Sequence, residues 1–315
     1  MPNFLNNLLN RDEDEELDLE FDLADPESGC FELPPDREDN QVLAVWGSPS
    51  SGKTIMSVKI ARYIASQKKN VILVLADMSA PPLPFICPPS DLEAEMSMGN
   101  ILGAAHVTET LIKQNAILHR KNEYLTMLGM LKGENAFTYP PYTETQAKEL
   151  LAELRKMADY IVIDCTSNIT GDVLSAVSLI ESDAVLRLVS CDLKSISYLS
   201  SQLPLLLDNK FNANKQYKAA RKAEPLPFPL VTISETAKKH TVRHNFTYRY
   251  LLNVDDFQAD DNIEQVVGGV SFKIPHSEEV YKQFLSGNLF AGLSDKSSKD
   301  FRKAVAKIAN EVFEL

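Results

Sequence analysis

Gly47-Ser48-Pro49-Ser50-Ser51-Gly52-Lys53-Thr54 is a complete G-x-x-x-x-G-K-[ST] pattern. The spacing has a mechanism. Backbone N–H groups of such a loop, with the positive end of the helix that follows, surround phosphate oxygens. The lysine reaches the β/γ oxygens, and the hydroxyl of the last residue ligates Mg²⁺. The flanks supply the context the motif requires. Gln41-Val42-Leu43-Ala44-Val45-Trp46 is an apolar run of strand length, and Ile55, Val58, Ile60, Ala61 and Ile64 recur at helical spacing up to Gln67. Strand, loop and helix follow in that order, which predicts a nucleotide-binding loop rather than a chance Gly/Ser-rich turn.

A second apolar strand, Tyr160-Ile161-Val162-Ile163, ends in Asp164. A carboxylate at a strand end beside a phosphate loop is placed for the water shell of a nucleotide-bound Mg²⁺. A third run, Val71-Ile72-Leu73-Val74-Leu75-Ala76, ends in Asp77. That residue has two readings: a turn former at a loop start, or a carboxylate that orients attacking water and senses the γ-phosphate.

From residue 41 onward strands alternate with helices. Strands are predicted at 42–46, 71–76, 124–130, 160–164, 184–190, 248–254 and 270–274. Helices are predicted at 53–67, 144–157, 171–181, 193–207, 258–267, 277–286 and 298–313. This alternation implies an α/β fold, a mostly parallel sheet with helices on both faces, with ligands at the carboxyl ends of the strands.

The order of these motifs resembles the MinD/ParA superfamily of P-loop ATPases. So does the later stretch, Leu251-Leu252-Asn253, then Ile263-Glu264-Gln265-Val266-Val267-Gly268-Gly269, then Ile274-Pro275-His276. The resemblance spans roughly 41–290. It implies ATP and Mg²⁺ as ligands, bound through Gly47, Ser48, Pro49, Ser50, Ser51, Gly52, Lys53 and Thr54. It implies a catalytic set of Lys53, Asp77 and Asp164, with Asp77 beside the hydrolytic water and Asp164 on the magnesium side through a water. Asn253 matches the residue that reads the adenine edge, and Pro275 the turn that flanks the base. Two departures stand out. The family's loop usually carries a Lys that reaches across a dimer where this chain has Ser48, and usually a Gly where it has Pro49, which removes one N–H donor. Nucleoside monophosphate kinases resemble this chain in having Pro at that loop position. After Asp164 the chain reads Cys165-Thr166-Ser167, where the family commonly has Pro and Gly. The resemblance thus implies a slow ATPase and at best a weak nucleotide-dependent homodimer. A bacterial tyrosine kinase shares this nucleotide domain, but residues 290–315 contain no Tyr.

Composition narrows the setting. The net charge is −12, yet residues 1–40 alone hold 14 acidic and 2 basic residues, so the remainder is neutral. The chain therefore divides into an acidic segment, 1–40, and a P-loop domain, 41–315, with a basic insertion at 208–247. In the acidic segment Leu17, Leu19, Phe21 and Leu23 alternate with acids. It reads either as a solvated tail or as a partner-binding segment. From Asn209 to Arg249 nine Lys/Arg face Glu224 and Glu235. That stretch reads as a solvated loop or as a DNA-facing patch. The C-terminal helix sets Phe301, Val305, Ile308 and Val312 against Lys299, Arg302, Lys303 and Lys307. Packing on the sheet is the expected role, and Glu311 and Glu314 argue against an anionic membrane surface.

No run reaches the roughly 18 uncharged apolar residues of a membrane span. Met1–Asn10 has no basic n-region of a secretory signal. Cys30, Cys87, Cys165 and Cys191, and the five histidines, lack metal-ligand spacing. A reduced, cytoplasmic protein is expected. Three functions remain open: an ATPase that positions or assembles a machine such as a pilus or secretion/conjugation apparatus, a DNA partition ATPase, and a nucleotide-binding scaffold with little hydrolysis.

Overall fold

The computed structural model describes residues 41–87, 92, 96–135, 137–169, 171–189, 194–195, 197–198, 201–202, 245–250, 272–313 and 315. Among the described residues eight strands form one sheet: β1 (Val42–Gly47), β2 (Val71–Leu75), β3 (Ile117–Leu118), β4 (Leu125–Leu128), β5 (Tyr160–Asp164), β6 (Ala184–Val189), β7 (Asn245–Tyr250) and β8 (Phe272–Ile274). Their order is β3-β4-β2-β5-β1-β6-β7-β8. Every neighbouring pair is parallel except β3 with β4, an antiparallel edge. The helices are α1 (Lys53–Ser66), α2 (Leu83–Ile86), α3 (Met98–Leu102), α4 (Glu109–Asn115), α5 (Glu144–Met157), α6 (Val173–Glu181), α7 (Glu278–Leu285) and α8 (Lys299–Phe313).

The central strands are apolar without a break because both sheet faces are covered. Alternation then sorts their side chains. Leu43, Val45, Leu73, Val162, Leu186 and Leu188 join one core with α1 and α8. Val42, Ala44, Trp46, Ile72, Val74, Ile161, Ile163 and Val185 join the other with α3, α5 and α6. Phe301, Val305, Ile308 and Val312 are all buried in the first core, so the amphipathic C-terminal helix packs on the sheet and against α1. Among the described residues no helix is long and apolar enough to cross a membrane.

The principal elements lie where the sequence places them, with shifts at the ends. β4 is shorter than the predicted 124–130. β7 begins at Asn245, three residues before the predicted start and inside the stretch assigned to the basic insertion. Of the predicted helix 193–207, residues 194–195, 197–198 and 201–202 are helical. The predicted helix 258–267, the acidic segment 1–40 and nearly all of 208–247 lie outside the described residues. The short helices α2, α3 and α4 and the edge strand β3 were not expected. Each is too short for a periodic signal, and α2 opens on Pro82 with Pro84 inside its first turn, where the missing N–H groups are tolerated.

One buried lysine fastens the C-terminal part to α1. Lys59 is 3 % exposed, and its Nζ lies 2.5 Å from Gln283 Oε1, 2.6 Å from the Leu289 carbonyl and 3.2 Å from that of Ala291. Burial first, then the like charge of Arg62, lowers its pKa to about 7, against a smaller opposing pull from Glu279. Lys59→Met leaves three buried acceptors without their donor and is expected to cost about 3 kcal/mol in urea unfolding. The pH dependence has a definite sign. Between about pH 7 and the ordinary lysine range the unfolded chain binds more protons on this group than the folded one, so its contribution to stability rises with pH across that window. Unfolding curves taken from pH 6 to 10 should show that rise in the wild-type protein and its loss in Lys59→Met.

Candidate functional site

Register brings three strand ends together. Asp164 pairs with Val45 of β1 and with Leu75 of β2. The Cys165 N–H donates to the Val45 carbonyl at 2.9 Å, and the Ala76 N–H to the Asp164 carbonyl at 3.0 Å. The loop after β1, the Asp164 loop and Asp77 therefore leave the sheet side by side, at its carboxyl edge.

The loop 47–54 turns tightly. Ser50 and Gly52 have φ of 63° and 85°, in the left-handed region. Gly52 begins α1, whose first turn has no side-chain cap, so the N–H groups there remain available to an anion. Gly47 is required by contact. A Cβ on it would lie 1.9 Å from the Leu188 carbonyl of β6. That same carbonyl accepts the Ser48 N–H at 3.2 Å.

Lys53 folds back over the loop. Its Nζ donates to the Ser48 carbonyl at 3.0 Å and to Ser167 Oγ at 2.6 Å. Burial holds it below the ordinary lysine range, while Asp164 and Asp77 pull the other way. The Thr54 hydroxyl donates to Asp164 Oδ2 at 2.6 Å, and the Ser57 hydroxyl reaches Oδ1 at 3.3 Å. Asp164 is 1 % exposed, and burial raises its pKa to about 6 against the Thr54 bond and the Lys53 charge. Asp77 stands at the rim. Its Oδ1 accepts the N–H groups of Ser79 and Ala80 at 2.9 and 3.0 Å, so it shapes the turn it begins. It is also near enough to act electrostatically on both Lys53 and Asp164.

These residues fit Mg²⁺. Among the described residues no group of three or more His, Cys, Asp or Glu could hold a metal by itself. Mg²⁺ at a nucleotide needs no such cage, because phosphates and waters fill most of its octahedron. Thr54 would supply the direct hydroxyl, with Asp164, already hydrogen-bonded to it, receiving a metal-bound water.

Pro275 directly follows β8 and so lies at the same edge of the sheet, partly buried. Asn253 lies outside the described residues. Cys165 is buried, and burial pushes its thiol well above the ordinary range, which makes it an inert filler at the strand end. Four residues escaped sequence reading: Ser57, Ser167, Ser195 and Tyr198. Ser48 Oγ donates to Ser195 Oγ at 2.8 Å, Ser167 Oγ donates to the Gly47 carbonyl at 2.9 Å, and the Tyr198 hydroxyl donates to the Ser167 carbonyl. Isolated hydroxyls carry no motif. Ser57, one turn beyond Lys53 on the same helix, was the one with a positional signal.

No family model and no curated protein matches the chain. Solved structures do. A ParA family ATPase from Chlorobium tepidum superposes with a TM-score of 0.61 at 15 % identity, over 87 % of this chain and 98 % of its own. The septum site-determining protein MinD from Pyrococcus horikoshii, complexed with Mg-ADP, gives 0.54 at 14 % identity, over 86 % and 95 %. An ATP complex of a McdA variant from Cyanothece gives 0.57 at 14 % identity, over 87 % and 96 %. The chain thus has the α/β fold of the MinD/ParA P-loop ATPases, as its motif order implied. At these identities the likeness establishes fold alone.

The close approach at Gly47 yields a prediction. Gly47→Ala must push β6 away from β1 and break the Ser48–Leu188 bond. We expect a loss of about 2–3 kcal/mol in thermal or urea unfolding, with nucleotide affinity lowered as well. Unchanged stability would mean the two strand ends are not held this close.

Proposed function

We propose that this protein is an ATP- and Mg²⁺-binding, slowly hydrolysing ATPase of the MinD/ParA type. The observation that carries the reading is the convergence of Lys53, Thr54 and Asp164 at one strand edge, beneath an uncapped helix N-terminus. The phosphate chain would lie along residues 47–54. Lys53 would exchange its bonds to Ser48 and Ser167 for phosphate oxygens, and Thr54 with Asp164 would hold the metal's shell. Asp77 would orient the attacking water, a step that needs positioning more than covalent chemistry.

Ser48 supports slow turnover. Its side chain is fully buried and bonded to Ser195, so it offers no cation to a second nucleotide. Within this class we favour a role in positioning or assembling a cellular machine, such as a pilus or secretion/conjugation apparatus. The acidic segment 1–40 would be the contact to a protein partner, with at best a weak ATP-dependent homodimer. A structural relative, MinD of Aquifex aeolicus, is found in complex with MinC. DNA partition is the second reading, favoured by the nine cations between 209 and 249. A nucleotide-binding scaffold with little hydrolysis is the third, favoured by the same burial of Ser48. We place the protein in the cytoplasm.

Lys53→Ala removes the one cation inside the loop and should weaken ATP binding in calorimetry by at least about tenfold, the loss expected for a hydrogen bond to a charged group. Unchanged affinity would overturn the site. Basal turnover of the full chain should fall well below the roughly 10 s⁻¹ typical of enzymes, and Asp77→Ala should lower it further. The same assay run with DNA and with phospholipid separates the readings. Stimulation by DNA that fades steeply with salt would favour partition, because each phosphate contact releases counterions.

A further inference from the structure

The segment after β6 is bonded to the phosphate loop through Ser195 and to the loop after Asp164 through Tyr198. Ser195, 2 % exposed, accepts the hydroxyl proton of Ser48, which is fully buried. Tyr198, three residues on and so on the same face of a helical turn, donates its hydroxyl to the Ser167 carbonyl. The Tyr198 ring also lies tilted on Trp46, the residue before Gly47, with centroids 5.8 Å apart. Ser167 is gripped from the other side, its Oγ taking a proton from Lys53 Nζ and giving its own to the Gly47 carbonyl. The chain of contacts runs Lys53, Ser167, Tyr198, Trp46 and back to the loop, inside one protomer.

Phosphate oxygens compete directly for this circuit. Lys53 cannot keep its full set of bonds to Ser48 and Ser167 while reaching a β/γ oxygen. When the ammonium turns, Ser167 loses its only charged donor among the bonds described, so the residue whose carbonyl holds Tyr198 is itself less firmly held.

We propose that Ser195 and Tyr198 are positioning residues that couple nucleotide occupancy of the loop to the anchoring of the chain after β6; this rests on the reading of residues 47–54 as an ATP site. Binding loosens the Ser167–Tyr198 contact, and with it the hold on the helical residues 194–195 and 197–198 after β6. The serine that stands in place of a dimer-bridging lysine thus serves an internal contact, and nucleotide is sensed without a partner subunit.

Hydrogen–deuterium exchange on the full chain tests this, with ATP binding followed in parallel by calorimetry. Saturating Mg·ATP should speed exchange in peptides covering 194–198 by about fivefold or more, the effect of losing one hydrogen bond. Tyr198→Phe keeps the ring on Trp46 and deletes the hydroxyl. It should leave ATP affinity within about fivefold of wild type and erase the ATP-dependent difference at 194–198, because the segment is already loosened. A merely structural tyrosine would lower the melting temperature and leave that difference intact. Ser195→Ala, a smaller change, should reduce the same difference and serves if Tyr198→Phe does not fold. Wild-type protein that binds ATP with exchange at 194–198 unchanged or slowed would overturn the coupling while sparing the nucleotide site. So would a Tyr198→Phe protein that retains the full difference. A flat wild-type calorimetric titration would overturn both.

Discussion

Everything at the site depends on a carboxylate buried where three strands end. Asp164 is nearly inaccessible, in a position where desolvation alone would neutralise it. It stays near its ionising range because Thr54 and Ser57 donate to its two oxygens and Lys53 lies close by. Those donors come from the first turns of α1, so the helix must start where it does. It starts there because Gly47 lets β1 run against β6 to its last residue, and because Ser50 and Gly52 adopt left-handed conformations that reverse the chain. Register, turn and helix start are therefore one constraint. A slip of a residue in β5 would turn Asp164 to the opposite face and remove the partner of the Thr54 hydroxyl, leaving Ser57 only the Lys53 carbonyl.

The same helix carries this constraint into the C-terminal part. α1 begins at the phosphate loop, and a turn and a half later presents Lys59 to Gln283 and to the carbonyls of Leu289 and Ala291. Its remaining inward face packs on α8. Displacement of α1 at its first turn would thus be felt at two fastenings, one made of apolar side chains and one of a buried amine with three acceptors. Packed interfaces of this kind shift between discrete arrangements rather than deform smoothly.

Much of this was legible in the sequence, for a physical reason. Strands covered on both faces must be apolar throughout, so β1, β2 and β5 appear as uninterrupted runs, closed by the loop at Ser48, by Asp77 after Ala76, and by Asp164. α5 and α8 are long and amphipathic, and their periodicity places them within a residue or two. The failures share the opposite property. α2, α3 and α4 bury two or three side chains each, too few for a repeating face; α3 and α4 start on the caps of the Ser97 and Thr108 hydroxyls, and α2 on Pro82. β7 was placed three residues late because the stretch Tyr248 to Val254, apolar but for Arg249 and Asn253, outweighs the polar start at Asn245. At the site, Lys53, Thr54 and Asp164 were readable because their spacing encodes a mechanism. Ser167 and Tyr198 were not, since they act through a backbone carbonyl and a ring contact that any sequence with a hydroxyl could supply.

Ser48 shows how one substitution changes the demands on its neighbours. A lysine at that position would have to leave the protomer, because a cation fully buried against Ser195 and the Leu188 carbonyl would be desolvated without a counter-charge. Serine removes that requirement. Its hydroxyl is small enough to be buried and is satisfied by a single partner, Ser195, while its N–H and carbonyl remain in use by Leu188, Ser51 and Lys53. The loop's bonds through Ser48 thus lie within the protomer. Transition-state charge at the γ-phosphate would be met by Lys53 and the metal alone, without the additional cation that can accelerate phosphoryl transfer by about 10³-fold or more. On the proposed reading, a chain built this way would give up rate and gain a contact through which its own β6 segment could respond to what the loop holds.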